Sequence, residues 1–111
     1  MTVPRIHRLD GYSIPELLRL LLRERGERIR FDTREEPSLT IKGQEYEIEG
    51  LAIDENTVEE MLRPVASNRQ MRAFRRFRTV DFVYRFEGAR FLIRVVRAYG
   101  IFNLELHSIR L

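Results

Sequence analysis

The feature that most constrains the fold of this chain is a change in the spacing of its apolar residues at Thr79. From there on, apolar side chains occupy every second position in three segments, Val80–Phe86, Phe91–Val95 and Phe102–Leu106. Glu87-Gly88 and Tyr99-Gly100 separate these segments, and a two-residue turn ending in glycine is typical of a tight β-hairpin. Because successive side chains of a strand point to opposite faces, the pattern predicts a three-stranded antiparallel meander with one apolar face.

The first half of the chain opens with a helical pattern. Ser13 and Glu16 have the spacing of a capping box with a proline between them, and Gly26 is suited to end the helix. The apolar residues of this segment recur at helical spacing and predict one buried stripe: Ile14, Leu17, Leu18 and Leu21. Leu20 lies away from that stripe. We therefore expect it to be partly exposed, and it is the first candidate for a contact surface.

The middle of the chain supplies the remaining elements. Between Glu27 and Ile48, polar and apolar residues alternate in three short segments, which predict three strands. A helix containing Val58–Leu62 and a second helix that begins with the capping box Ser67–Gln70 follow, and Phe74 and Phe77 are expected to face the core. The order α-βββ-αα-βββ predicts an α+β domain, in which three helices cover one face of an antiparallel sheet of about six strands.

Length and composition limit the classes of protein. A chain of 111 residues fits a single domain, 1–111, with 1–12 as an extended or poorly ordered leader. The absence of cysteine excludes disulfides, thiol catalysis and Cys-based metal sites. The longest apolar stretch, Leu17–Leu22, is short and contains Arg19, so we expect neither export nor a membrane span and place the chain in the cytoplasm.

No catalytic motif is present. The sequence contains no phosphate-binding loop, no dinucleotide-binding glycine pattern and no metalloprotease motif. His7 and His107 lie 100 residues apart and are interpreted as surface histidines. We therefore expect no enzymatic activity, no bound ATP, no cofactor and no metal.

Positive charge is concentrated in one region of the sequence. Residues 63–97 contain ten arginines and only two acidic residues, whereas residues 1–62 carry nine basic and fourteen acidic residues. Arginine suits planar recognition of phosphate or carboxylate groups. The arginines that we place on the candidate interaction surface, together with Leu20, are Arg69, Arg72, Arg76, Arg90 and Arg94.

Several segments between Ser13 and Ile109 match one family in order and spacing: Pro37, Leu39 and Gly43 in the first hairpin, Val58–Leu62 in a helix, Asp81–Tyr84 in a strand, and Arg90-Phe91 with Val95 and Gly100 in the last hairpin. On these residues the chain resembles the N-terminal, PAS-like domain of the type IV pilus retraction ATPases, the PilT family of secretion and twitching motors. The resemblance implies a PAS-like fold. In the family a motor domain with the phosphate loop follows, and we expect this chain to be a stand-alone domain without it.

The resemblance also bears on a nucleotide-directed role. Arg90 matches one of the arginines that family members direct toward a motor domain's nucleotide, whereas Leu92, Tyr99 and His107 stand where others would be. The resemblance therefore implies at most a partial set of such arginines.

Three hypotheses about function follow. The preferred one is a non-enzymatic protein–protein interaction module that docks on or regulates a pilus- or secretion-type ATPase, or that self-associates. The alternative is a nucleic-acid-binding module that uses the arginines of residues 63–97. A PAS-like sensor with a small-molecule pocket ranks third, because every aromatic residue is assigned to a core face.

Overall fold

The computed structural model describes residues 5–8, 13–32, 35–49 and 55–109. In chain order its elements are β1 Arg5–Arg8, α1 Ile14–Glu24, β2 Arg28–Asp32, β3 Glu35–Ile41, β4 Gln44–Glu49, α2 Glu55–Leu62, α3 Asn68–Phe77, β5 Thr79–Phe86, β6 Ala89–Ala98 and β7 Ile101–Ile109. The predicted α+β fold with the order α-βββ-αα-βββ is confirmed.

Within these ranges the strands form one seven-stranded sheet in the order β1-β4-β3-β2-β7-β6-β5. The two meanders, β2–β4 and β5–β7, are joined by antiparallel pairing of β2 with β7, which places Ile29 opposite Leu106. The strand β1, which the sequence pattern did not predict, adds a parallel pairing with β4 at one edge of the sheet. At the other edge lies β5, which follows directly after α3.

The hairpin turns have a common geometry. Lys42-Gly43, Glu87-Gly88 and Tyr99-Gly100 all have positive φ at both residues. This is the type I′ turn, whose twist matches that of the flanking strands. The predicted glycines are required at the second position, because a side chain there would strain a backbone with φ near +80°.

The core lies on one face of the sheet, where the helices pack. Every second residue of each strand faces the helices, and these residues, such as Phe31, Ile93 and Leu104, form a single buried cluster with residues of all three helices. The residues between them point to the other face of the sheet, and many of these residues are charged. This arrangement gives the sheet an apolar face under the helices and a polar face opposite.

The prediction that Leu20 is partly exposed was wrong. The helix α1 buries Ile14, Leu17, Leu18, Leu20 and Leu21, and Leu20 is only 1% exposed. Because three helices share one face of the sheet, more of the circumference of α1 is covered than the single stripe that sheet packing alone requires. The partly exposed leucine of α1 is Leu22, at 37%.

The capping box of α3 is formed as predicted. The Ser67 hydroxyl accepts a hydrogen bond from the Gln70 backbone N–H at 3.1 Å, and the Gln70 side chain accepts one from the Ser67 N–H at 2.8 Å. These two bonds satisfy backbone donors at the start of a helix whose N–H groups have no partner within the helix. They fix where α3 begins and so orient its side chains.

We expect Ser67→Ala to lower the free energy of unfolding by about 1 kcal/mol, because it removes the acceptor for the Gln70 N–H. Urea denaturation measures this change. Ser67→Asp is the matched control, since aspartate supplies an equivalent acceptor and should lose much less. Equal losses in the two variants would contradict a capping role for the Ser67 side chain.

Candidate interaction surface on helix α3

Helix α3 is strongly two-sided. Met71 and Phe74 are buried, and the Phe74 ring lies 6.1 Å from the ring of Phe102 on β7. Arg69, Arg72 and Arg76 are exposed on the opposite side of the helix. Their spacing of three and four residues places the guanidinium groups on one face, as the sequence predicted.

The three arginines have no acidic partner among the side chains that the structure describes. Within the described ranges, Arg69, Arg72 and Arg76 form no ion pair. The nearby carboxylate of Glu59 is instead shared by two other arginines, with Nε of Arg75 at 3.4 Å and Nη2 of Arg63 at 3.9 Å. We call Arg69, Arg72 and Arg76 with Phe77 the α3 surface, and it has a net positive charge.

The prediction that Phe77 belongs to the core was wrong. Its side chain is 64% exposed, and the Arg76 guanidinium lies 5.3 Å from the centre of its ring. A step of three residues turns an α-helix about 60° short of a full circle. Two such steps carry Phe77 about 120° from Met71, which moves it out of the buried sector.

A shallow recess of about 600 Å³ lies on this side of α3. The side chains around it are Arg69, Arg72, Ala73, Arg75, Arg76 and Phe77. An exposed aromatic ring with guanidinium groups on the same recess suits a partner surface that presents carboxylates or phosphates beside an apolar group, because arginine and aromatic residues are the usual anchors of interfaces.

The other predicted surface residues lie elsewhere. Arg94 is on the sheet face opposite the helices, and its Nη2 is 3.8 Å from Oδ2 of Asp81. Arg90 lies at the start of β6, beside a recess of about 180 Å³ that Leu22 also lines. The structure therefore groups Arg69, Arg72 and Arg76 but not Arg90 or Arg94 with them.

Arg94 belongs to a row of alternating charges across four strands. Asp81 on β5, Arg94 on β6, Glu105 on β7 and Arg30 on β2 are successive cross-strand neighbours. Opposite charges facing each other across strands stabilise a sheet. The charges of this row thus compensate each other, in contrast to those of the α3 surface.

No site for other chemistry emerges from the described side chains. Nε2 of His107 is 2.7 Å from Oε1 of Glu105, which makes this histidine a partner in the polar sheet face. Among the described residues, no group of three or more acidic or histidine side chains could hold a metal ion, and no helix has the length and apolar character to cross a membrane. The side chain of His7 lies outside the described residues.

Comparison with solved structures confirms the predicted fold. The ATPase DotB of Legionella pneumophila matches 98% of this chain with 12% identity and a TM-score of 0.71. The pilus retraction motor PilT, solved with bound ADP, matches 90% with 20% identity and a TM-score of 0.73. The chain has the fold of the N-terminal domain of PilT-like ATPases.

The PilT-like fold is shared over only part of those proteins. The chain spans about a third of the length of the structures it matches: 32% of the Legionella DotB chain, 30% of the PilT chain and 35% of DotB from Yersinia pseudotuberculosis, which has 15% identity and a TM-score of 0.66. No protein-family model and no curated protein matches the sequence.

Proposed function

We propose that this domain is a non-enzymatic, cytoplasmic protein–protein interaction module that docks on a pilus- or secretion-type ATPase through the α3 surface. The observation that carries the proposal is a helix face on which, among the described residues, Arg69, Arg72 and Arg76 form no ion pair and the neighbouring Phe77 is exposed. Exposed aromatic rings and arginine side chains are the residue types most often found as anchors of protein interfaces. The PilT-like fold supports the class of partner.

The proposed contact has an electrostatic part and an apolar part. A guanidinium can hold a carboxylate through two parallel hydrogen bonds, which gives both energy and geometry. The Phe77 ring would fill a partner pocket while Arg69, Arg72 and Arg76 pair with acidic side chains beside it. Binding should therefore weaken as salt concentration rises.

We expect Arg69→Glu/Arg72→Glu to weaken binding to the purified PilT-type ATPase of the same organism by at least about 10-fold, which corresponds to about 1.4 kcal/mol. Calorimetry or biolayer interferometry measures the affinity. Arg19→Glu/Arg23→Glu is the matched control, because it makes the same change in net charge on exposed residues of α1. A similar loss in both variants, or no loss in either, would contradict docking through the α3 surface.

Nucleic acid is the second candidate partner, because the exposed Phe77 beside Arg76 offers a ring for base stacking next to a cation for a phosphate. The same pair of variants discriminates the two partners. We expect no retention of single-stranded or duplex DNA tighter than about 10⁻⁶ M at physiological salt, the limit of ordinary non-specific binding. Tighter retention that the α3 variant loses and the α1 variant keeps would favour nucleic acid.

A further inference from the structure

Strand β5 is an open edge of the sheet. It pairs with β6 along its whole length and, in the described part of the chain, with no strand on its other side. It is eight residues long and contains no proline. A recess of about 500 Å³ separates its first residues, Thr79 to Asp81, from α3. Such an edge presents unpaired backbone groups that can bond to another strand.

The turn between β5 and β6 determines which backbone groups point outward. In a two-residue type I′ hairpin the flanking residues, here Phe86 and Ala89, exchange both backbone hydrogen bonds. At the other end of the strand, the Arg97 N–H donates to the Arg78 carbonyl at 2.8 Å, which is the same alternation. Even-numbered residues of β5 therefore bond to β6, and Thr79, Asp81, Val83 and Arg85 direct their N–H and C=O groups outward.

The charged side chains of these residues are arranged so that β5 can pair with β5 of a second copy of the chain. If β5 meets the same strand of a second copy antiparallel, with Val83 opposite Val83, then Asp81 of each chain faces Arg85 of the other. A register centred on Asp81 or on Arg85 instead places like charges opposite each other, which is unfavourable. Among the antiparallel registers that pair outward backbone groups, only the one centred on Val83 forms both Asp81–Arg85 pairs.

The surroundings of these residues favour the same register. Within one chain, Arg85 faces Arg90 across the strands, an unfavourable pair that Asp81 of a second copy would relieve. The row of alternating charges from Arg30 to Asp81 ends on a negative charge at the edge, so Arg85 of the second copy would continue the alternation. Val83, at 56% exposure, would be covered by its own counterpart.

We propose that β5 is a self-recognition edge that pairs with β5 of a second copy of this chain about a two-fold axis at Val83. The two sheets then form one continuous sheet, as in other symmetric pairings of identical surfaces. On the helix side, Phe82 of one chain faces Tyr84 of the other, which extends the apolar core across the junction. This inference goes beyond the proposed docking and uses different residues, so either can fail without the other.

Charge exchange across the strand tests the register. Arg85→Asp leaves two negative side chains at the edge, and Asp81→Arg leaves two positive ones. We expect wild type to form dimers in sedimentation velocity as its concentration rises to about 1 mM, which covers even weak association. Each variant alone should remain monomeric, whereas an equimolar mixture should form a heterodimer. Monomeric wild type, dimeric single variants or a monomeric mixture would each overturn the proposal.

A cysteine test needs no change of charge and therefore stays informative if a charge variant fails to fold. The chain contains no cysteine, and a hydrogen-bonded antiparallel pair has Cα atoms about 5.5 Å apart, within disulfide range. Val83→Cys should thus cross-link two chains under mild oxidation. Val96→Cys is the control, since Val96 is exposed on the same sheet face but lies on the inner strand β6. We expect cross-linking at least about 10-fold faster at Val83, because pairing raises the local concentration; equal rates would overturn the proposal.

Discussion

Leu20→Glu is expected to prevent the domain from folding. Leu20 is 1% exposed within the core cluster, so a glutamate there would bury a carboxylate without a partner. An uncompensated buried charge costs about 3–5 kcal/mol in addition to the lost packing, a large part of the about 5–15 kcal/mol by which domains are stable. Near-ultraviolet circular dichroism and thermal denaturation should show no cooperative native state.

Leu22→Glu is the matched control on the same helix, two residues away. Because Leu22 is 37% exposed, the glutamate can reach water, and ordinary surface changes stay within about 0.5 kcal/mol, or a few degrees in Tm. A folded Leu20→Glu protein with a Tm near that of wild type would show that this side of α1 is not part of the core. An unfolded Leu22→Glu protein would show that the covered sector of α1 is wider still.

Phe74→Ala is expected to lower the free energy of unfolding by about 3–5 kcal/mol, the usual cost of removing a buried aromatic ring and leaving a cavity. Phe74 is 4% exposed and packs against Phe102. Chemical denaturation with linear extrapolation measures the loss. An unchanged m-value, the slope of the free energy of unfolding against denaturant concentration, shows that the same surface is exposed on unfolding.

Phe77→Ala, three residues further along α3, should change the free energy of unfolding by no more than about 0.5 kcal/mol, because most of that ring is already in water. The same variant should weaken binding of the ATPase partner if the α3 surface is the docking site. Similar stability losses for Phe74→Ala and Phe77→Ala would contradict the division of α3 into a buried and an exposed side.

These variants separate folding from binding on the two helices that the sequence singled out. Leu20 and Phe74 are required for the fold, whereas Phe77, Arg69 and Arg72 are available for partners. Loss of association in a Leu20 variant would therefore report unfolding and not an interface. Association experiments on this domain should change the α3 surface and leave the buried residues of α1 intact.

The candidate site could be predicted in part. The spacing of Arg69, Arg72 and Arg76 depends only on helix geometry, and the structure places them together as expected. Three-residue spacing places Phe77 only roughly on the face of Met71 and Phe74, because each step of three residues turns about 60° short of a full circle, and this drift can be read from the sequence. Arg94 lies on the other side of the sheet from α3. The concentration of arginines in residues 63–97 does not show on which side of the sheet each arginine lies.

Local interactions explain what could be read from the sequence. Capping boxes, hairpin glycines and the alternation of apolar residues involve residues within a few positions of each other, so helices, strands and their apolar faces followed from the chain alone. Other features depend on contacts between residues far apart in the sequence. These are the covered fraction of α1, the pairing of β1 with β4, and the position of β5 at the edge of the sheet. Packing of elements that are distant in the sequence buries Leu20, and the register of the strands assembles the row of charges from Arg30 to Asp81. Local periodicity encodes neither of these arrangements.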